Sequence, residues 1–170
     1  MSTSTQIKAG LSLRPATRDD AELIVQFIRG LAEYERAPEA AVVTAEDLLR
    51  DGFGPDRKFR VVIAEWNGQP AGFAFYFFNY STWQGRPGLF LEDLFVRPEF
   101  RGKGIGKALL VHLAQIAIRE NCGRFVWQVL DWNTPAIEFY KSLGAKVLDE
   151  WLTMRVEGEA LEKLALRDKQ

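Results

Sequence analysis

Cysteine is nearly absent from the chain: among 170 residues there is one, Cys122. A lone thiol cannot close an intramolecular disulfide, so nothing here calls for an oxidising compartment, and the cytoplasm is the expected location. Histidine is equally scarce. The single copy, His112, excludes a multi-histidine zinc site and a Ser-His-Asp triad, and its place between core positions of a long helix reads as structural. Neither sign of charge is in excess: 22 Lys+Arg against 23 Asp+Glu leave a net charge of −1, with no global basic field to drive nucleic-acid binding. Long hydrophobic runs are missing as well. The longest, residues 71–78, is strand-length and broken by Gly72, far short of the ~20 apolar residues of a membrane span. The polar stretch 1–6 has no apolar segment of the secretory kind. Nucleic acid and membrane are therefore not expected partners, and there is no repeat or low-complexity segment.

What is present is an ordinary globular composition, 47% hydrophobic and 26% charged, at a length that fits one core. Residues 1–10 read as a flexible lead and 11–170 as a single domain. Leu11, Leu13 and Arg14-Pro15 suggest a short strand, after which Thr17 and Asp20 have capping-box spacing. The helix they open carries Leu23, Ile24, Phe27, Ile28 and Leu31 at helical spacing and runs to about Tyr34 or Glu35. Thr44 and Asp47 repeat the capping signal for a second helix, ended by Asp51-Gly52. Residues 60–66 and 71–80 are strands joined by the hairpin turn Asn67-Gly68, and a third strand follows a loop and occupies 89–96. Ile105, Leu109, Leu113 and Ile116 mark one face of a helix from Gly104 to about Asn121. A buried strand over 125–130 comes next. Thr134 and Pro135 then supply the cap and first-turn proline of a helix through Leu143. Residues 146–156 provide the last strand or strands and 159–166 a short helix. The order β-α-α-β-β-β-α-β-α-β is an α/β arrangement that begins as an antiparallel meander and ends in crossover units.

The sharpest chemical signal lies between the third meander strand and the long helix: Arg101-Gly102-Lys103-Gly104-Ile105-Gly106-Lys107. Glycines there let backbone N–H groups approach an anion, the helix N-terminus adds partial positive charge, and Arg101, Lys103 and Lys107 add cations. Two familiar phosphate loops fit badly. Ala108 stands where a Walker loop needs a hydroxyl, and strict alternation of the glycines differs from Gly-x-Gly-x-x-Gly. A mere helix-starting turn would lose the backbone entropy of three glycines without aiding packing.

This loop resembles the Gln/Arg-x-x-Gly-x-Gly/Ala signature of the GCN5-related N-acetyltransferases (GNAT), and the chain is most similar to their diamine group, the spermidine/spermine and thialysine N-acetyltransferases. The resemblance is carried by RPAT at 14–17, LAEYE at 31–35, DLLRDGFG at 47–54, GFAFYFF at 72–78, LEDLFVRPEFRGKGIG at 91–106 and LDWNTPAIEFYKSLGA at 130–145. It implies a mixed sheet with splayed central parallel strands, acetyl-coenzyme A as cosubstrate, no metal, and a homodimer. By the same resemblance the backbone of Leu94, Phe95 and Val96 would pair with the pantetheine amides and Arg101 to Lys107 would cradle the pyrophosphate. Asn133, Thr134 and Pro135 would make a second cofactor contact, and Tyr140 would be the catalytic tyrosine.

Each role has a chemical reason. Coenzyme A leaves as a thiolate, to which a phenol of ordinary pKa ~10 can donate a proton, although Tyr140 also suits a core position beside Ile137. An amine titrating near ~10.4 arrives as an ammonium without a lone pair, so a base is needed. Glu92 is the candidate, in an otherwise apolar strand; its neighbour Asp93 would face the opposite side unless a bulge intervenes, and either could instead face solvent or pair with an arginine. Tyr34 and Glu35 match the family's substrate-binding pair, where an acidic wall would attract a cation, and the bland reading is a solvated helix end. Trp83 could pack on an alkyl chain or ammonium, or serve as a local anchor or dimer contact. By the resemblance, Trp127 and Gln128 would stand at substrate-side positions. The polyamine enzymes carry Asp-Pro-Trp where this chain has Ser81-Thr82-Trp83, with a one-residue insertion over 85–88, which weakens the case for a polycation. Cys122 reads as a small buried residue, so transfer direct to the amine is expected. The expected activity is acetyl transfer to a small primary amine, a diamine, polyamine or thialysine-like compound. The alternatives are another small amine, an amino acid or peptide N-terminus, or a non-catalytic acyl-coenzyme A sensor.

Overall fold

The computed structural model describes residues 4–167, which fall into two compact units divided between Gln128 and Val129. The first holds a mixed sheet of strands β1 (Thr5–Lys8), β2 (Leu11–Pro15), β3 (Arg60–Trp66), β4 (Gln69–Ser81), β5 (Arg86–Val96) and β6 (Arg124–Trp127), in sequential order. Neighbours are antiparallel except β5 and β6, which run parallel because the helix α3 (Ile105–Arg119) crosses over between them. Asn67 and Gly68 both take positive φ at the β3–β4 turn, the geometry that an Asn-Gly hairpin favours.

Helix α2 (Ala45–Gly52) begins where its capping signal places it, and α1 (Ala21–Tyr34) begins one turn after its own. Thr44 Oγ1 accepts from the Asp47 N–H at 3.2 Å. At the first helix the Thr17 N–H donates to Asp20 Oδ2 at 2.7 Å, with one 3₁₀ turn, Arg18–Asp20, before α1 proper. Arg14 closes this corner, donating to both oxygens of Asp20 (2.7 and 2.9 Å) and to Glu65 (2.8 Å). Ile24 and Phe27 of α1 meet Val61, Ile63, Phe73 and Phe95 in a core cluster, with the Phe27 and Phe73 rings stacked at 5.3 Å. Alternate strand residues Val62, Ala64 and Ala74 are buried too, as a sheet covered on both faces requires; α3 packs on β3, β4, β5 and β6.

Four expectations need correction. Residues 1–10 are not all lead: Thr5–Lys8 is a strand paired with β2, while 1–3 lie outside the described residues. All four β1 side chains are exposed, so no apolar alternation announced it. Strand β6 ends at Trp127, short of Leu130, because its ladder with β5 stops at Leu91 opposite Trp127, one residue before β5 is interrupted at Glu92. In the second unit, helix α4 (Thr134–Ser142) is capped one residue early, by Asn133, whose Oδ1 accepts from the Ala136 N–H at 3.4 Å. Residues 146–156 carry apolar side chains suited to a strand, but they pair with no strand among the described residues, and the chain next forms helix α5 (Gly158–Ala165).

Candidate active site

Strand β5 organises the first unit's functional residues. Phe75 of β4 pairs with Asp93 but Tyr76 pairs with Leu91, so Glu92 is an extra residue, a β-bulge. In a regular strand Glu92 and Asp93 would face opposite sides. The bulge cancels that alternation, and Glu92, which is exposed, and Asp93, which is half-buried, both line one open cavity of about 700 Å³ with Ile28, Val43, Phe75 and Phe77 among its walls. Asp47 also lines it, but its carboxylate is held by Thr44 and Arg50.

The charge state of this cavity follows from its walls. Burial pushes the Asp93 carboxyl up to about 7, and the negative charges of Glu92 and Glu35 add to the rise. Glu35 caps the C-terminal end of α1 and is itself raised by desolvation. The end of α1 and the bulge of β5 thus bring three acids into one field, with no arginine or lysine paired to Glu92, Asp93 or Glu35 among the described residues. Such a field favours a cation.

From Glu92 to Val96, β5 has no strand pairing on the β6 side among the described residues. Leu94, Phe95 and Val96 lie in this splayed stretch. Phe95 sends its ring into the core against Phe27, at 6.3 Å between centroids, which leaves its backbone as the part able to act. Gly72 faces Val96 across the β4 edge, and a Cβ there would come within 2.4 Å of the Phe95 carbonyl oxygen.

Beyond β5 a 3₁₀ turn, Pro98–Phe100, leads into the glycine loop. Gly102 and Gly104 both have φ +75°, and Gly104 is the N-cap of α3. The left-handed conformation that only glycine adopts freely turns the chain so that Ile105, Gly106 and Lys107 present first-turn N–H groups without intrahelical partners. Ile105 is buried and Lys107 exposed. This donor set fits a phosphate diester. The Arg101 side chain turns back instead, donating from Nε to the Val96 carbonyl at 3.1 Å and placing its guanidinium 4.9 Å from the Tyr34 ring centroid. Tyr34, expected at the substrate, is therefore tied to the loop.

The remaining sequence candidates are placed as follows. Trp83 is exposed in the turn joining β4 to β5, and Gln128 is exposed at the end of the first unit. Ser81 is buried and its Oγ accepts from the Gln84 N–H at 3.3 Å. In the second unit Asn133 is buried at its cap position, Thr134 and Pro135 are exposed, and Tyr140 is half-buried on α4 with its ring 5.5 Å from that of Phe139. Burial, with Arg119 adding, lowers His112, and burial, with Glu120 adding, raises the Cys122 thiol, so the imidazole stays neutral and the thiol protonated near pH 7. No cluster of His, Cys, Asp and Glu able to hold a metal occurs among the described residues, and no helix there is long and apolar enough to cross a membrane. Asp93, weighed in the sequence only on the condition of a bulge, is brought to the cavity by one, and Lys8 carries no local pattern that distinguishes it.

A meander with a splayed parallel pair, a glycine-capped helix at the splay and a cavity lined by two acids are the features of the first unit that bear on function. The profile of the acetyltransferase (GNAT) family matches residues 24–145, and the chain belongs to that family: it is an enzyme transferring acetyl to an amine, and acetyl-coenzyme A is the family's cosubstrate. It is 40% identical over 168 residues to the thialysine N-epsilon-acetyltransferase of Sus scrofa, covering 92% of this chain and 98% of that one. The Homo sapiens spermidine/spermine N(1)-acetyltransferase-like protein 1 is 39% identical over 163 residues, which span 90% of this chain but 23% of that protein. Among solved structures, an integron cassette protein from the mobile metagenome of V. cholerae superposes with a TM-score of 0.79 at 31% identity, covering 93% of this chain and 99% of that one.

Proposed function

We propose that the chain acetylates the terminal primary amine of a small, lysine-like or diamine substrate, using acetyl-coenzyme A. The observation that carries this reading is the bulge at Glu92, which sets two carboxylates in an apolar-walled cavity with Asp93 near 7. An alkylammonium matches such a site: its chain lies along Phe75 and Phe77 and its charge meets the acids. Glu35 adds attraction. The ammonium proton passes to the Glu92–Asp93 pair, and the freed amine nitrogen attacks the thioester carbonyl. The carbon–sulfur bond breaks, Tyr140, by the family's pattern, protonates the departing thiolate, and the second proton lost by the nitrogen as it becomes an amide returns the tyrosinate to a phenol by way of solvent. The N–H groups of Gly104 to Lys107 hold the pyrophosphate, with Lys103 and Lys107 as cations, and the open edge at Leu94, Phe95 and Val96 takes the pantetheine amides. Asn133, Thr134 and Pro135 give the second cofactor contact.

Ser81 supports a short substrate over a long polycation. Where the polyamine enzymes have an acid, this hydroxyl is used inside a turn. The protein is a cytoplasmic homodimer that takes small amines rather than nucleic acid or lipid. The test is release of coenzyme A thiol across thialysine, lysine, putrescine, spermidine, spermine and short peptides. Thialysine and lysine are expected to give the highest kcat/KM and spermine a lower one. Turnover of peptides alone would overturn the assignment.

A further inference from the structure

Strand β1 reaches the glycine loop from the far end of the sequence. Lys8 Nζ donates to the Lys103 carbonyl at 2.7 Å, across 95 positions. That carbonyl sits between Gly102 and Gly104, the two residues held at φ +75°. A segment with two left-handed glycines has many conformations when free, and fixing its central carbonyl removes that freedom before any ligand arrives. The indole of Trp66, at the end of β3, lies 5.7 Å from the Lys8 ammonium and 5.5 Å from that of Lys103. Both cations are thus drawn to one aromatic ring. A Cβ added to Gly104 would meet Lys8 Nζ at 3.4 Å, so Lys8 lies against the N-cap of α3.

Lys8 is held to this task by its own hairpin. The β1–β2 register shifts between Gln6 and Lys8, a bulge that re-aims the side chain. The Asn67 N–H donates to the Gly10 carbonyl at 2.7 Å, which pins the tip of the hairpin to the β3–β4 turn. Gln6 Nε2 donates to the Leu11 carbonyl at 3.1 Å across the same pair.

We propose that Lys8 is a positioning residue for the cofactor loop, holding residues 102–104 in their anion-binding conformation with Trp66 as the platform for the Lys8–Lys103 pair. This rests on the reading of Arg101 to Lys107 as the coenzyme A loop. Lys8 is exposed, so its replacement spares the core. Lys8→Met is expected to weaken coenzyme A binding in calorimetry by roughly three- to tenfold, the scale of one ordinary hydrogen bond at an exposed site. It is also expected to raise KM for acetyl-coenzyme A while KM for the amine holds, and to speed amide exchange at 102–106 in the free protein. Lys8→Arg, which keeps donor and charge, is expected to restore most of the affinity. Gly104→Asp, measured in parallel, separates the two ideas. If it leaves coenzyme A affinity intact, the loop reading fails. If it abolishes binding while Lys8→Met changes neither affinity nor amide exchange, the positioning role of Lys8 is overturned.

Discussion

A single inserted residue in β5 decides which carboxylates share the cavity proposed for the amine, and the two are separable by pH. Burial pushes the Asp93 carboxyl up to about 7, and the charge of Glu92 beside it adds to the rise. Glu92→Gln removes that neighbour, so the acid limb of kcat/KM is expected to move to lower pH while the rate near neutrality falls by roughly 10²-fold or more. Asp93→Asn is expected to abolish the limb and leave a slow rate that recovers as high pH supplies free amine. Wild-type pH profiles in both variants would remove the pair from the mechanism. The same shift has a stability sign. The folded-state pKa of about 7 lies above the ordinary aspartate value of 3.8, so folding favours the protonated acid. Its contribution is whole below about pH 4 and is lost as pH rises through about 7. Asp93→Asn, neutral throughout, is therefore expected to melt higher than wild type at about pH 8 and to lose that advantage at about pH 4. Glu92 was legible in the sequence as an acid in an apolar strand. Asp93 was not, since strict alternation sends it to the other face and a bulge depends on the partner strand's register.

At the scale of elements, what was legible is what is encoded locally. Thr44 with Asp47, Thr17 with Asp20, Asn67-Gly68 and the alternating glycines before α3 all act over four or fewer residues, and each stands where its spacing places it. Pairing is non-local, and there the reading ran out. Strand β1 has exposed side chains only and exists through hydrogen bonds to β2. Residues 146–156 have apolar content but no partner strand among the described residues. The α2 cap gives a direct measure of a local element: Thr44→Ala removes the acceptor for the Asp47 N–H and is expected to cost about 1 kcal/mol, read as a lowered midpoint in urea with an unchanged slope. Because Asp47 and Leu48 line the amine cavity, the same variant is expected to raise KM for the amine and to leave coenzyme A affinity alone. An unchanged midpoint would show that tertiary packing, not the cap, holds α2.

For the whole molecule the open question is what covers its apolar surface. Trp151, Leu152 and Met154 are 67%, 86% and 88% exposed, three large side chains within four positions, and Leu161 and Leu164 of α5 are exposed as well. A monomer in water gains nothing from such a patch, and burial against a second copy would recover about 25 cal/mol for each Å² of apolar area covered. Charge does not oppose this, since a net −1 leaves little repulsion between copies. The homodimer proposed above is expected at micromolar concentration, and Leu152 and Met154 test whether this stretch of the second unit lies in its interface. Leu152→Asp with Met154→Asp would place carboxylates where apolar contact is required, and unpaired charges buried in an interface cost several kcal/mol. The double variant is expected to sediment as a folded monomer with a dissociation constant raised by roughly 10²-fold or more. Far-UV circular dichroism checks that it remains folded. A wild-type chain that sediments as a monomer, or a double variant that dimerises as tightly as wild type, would show that these residues do not hold two copies together.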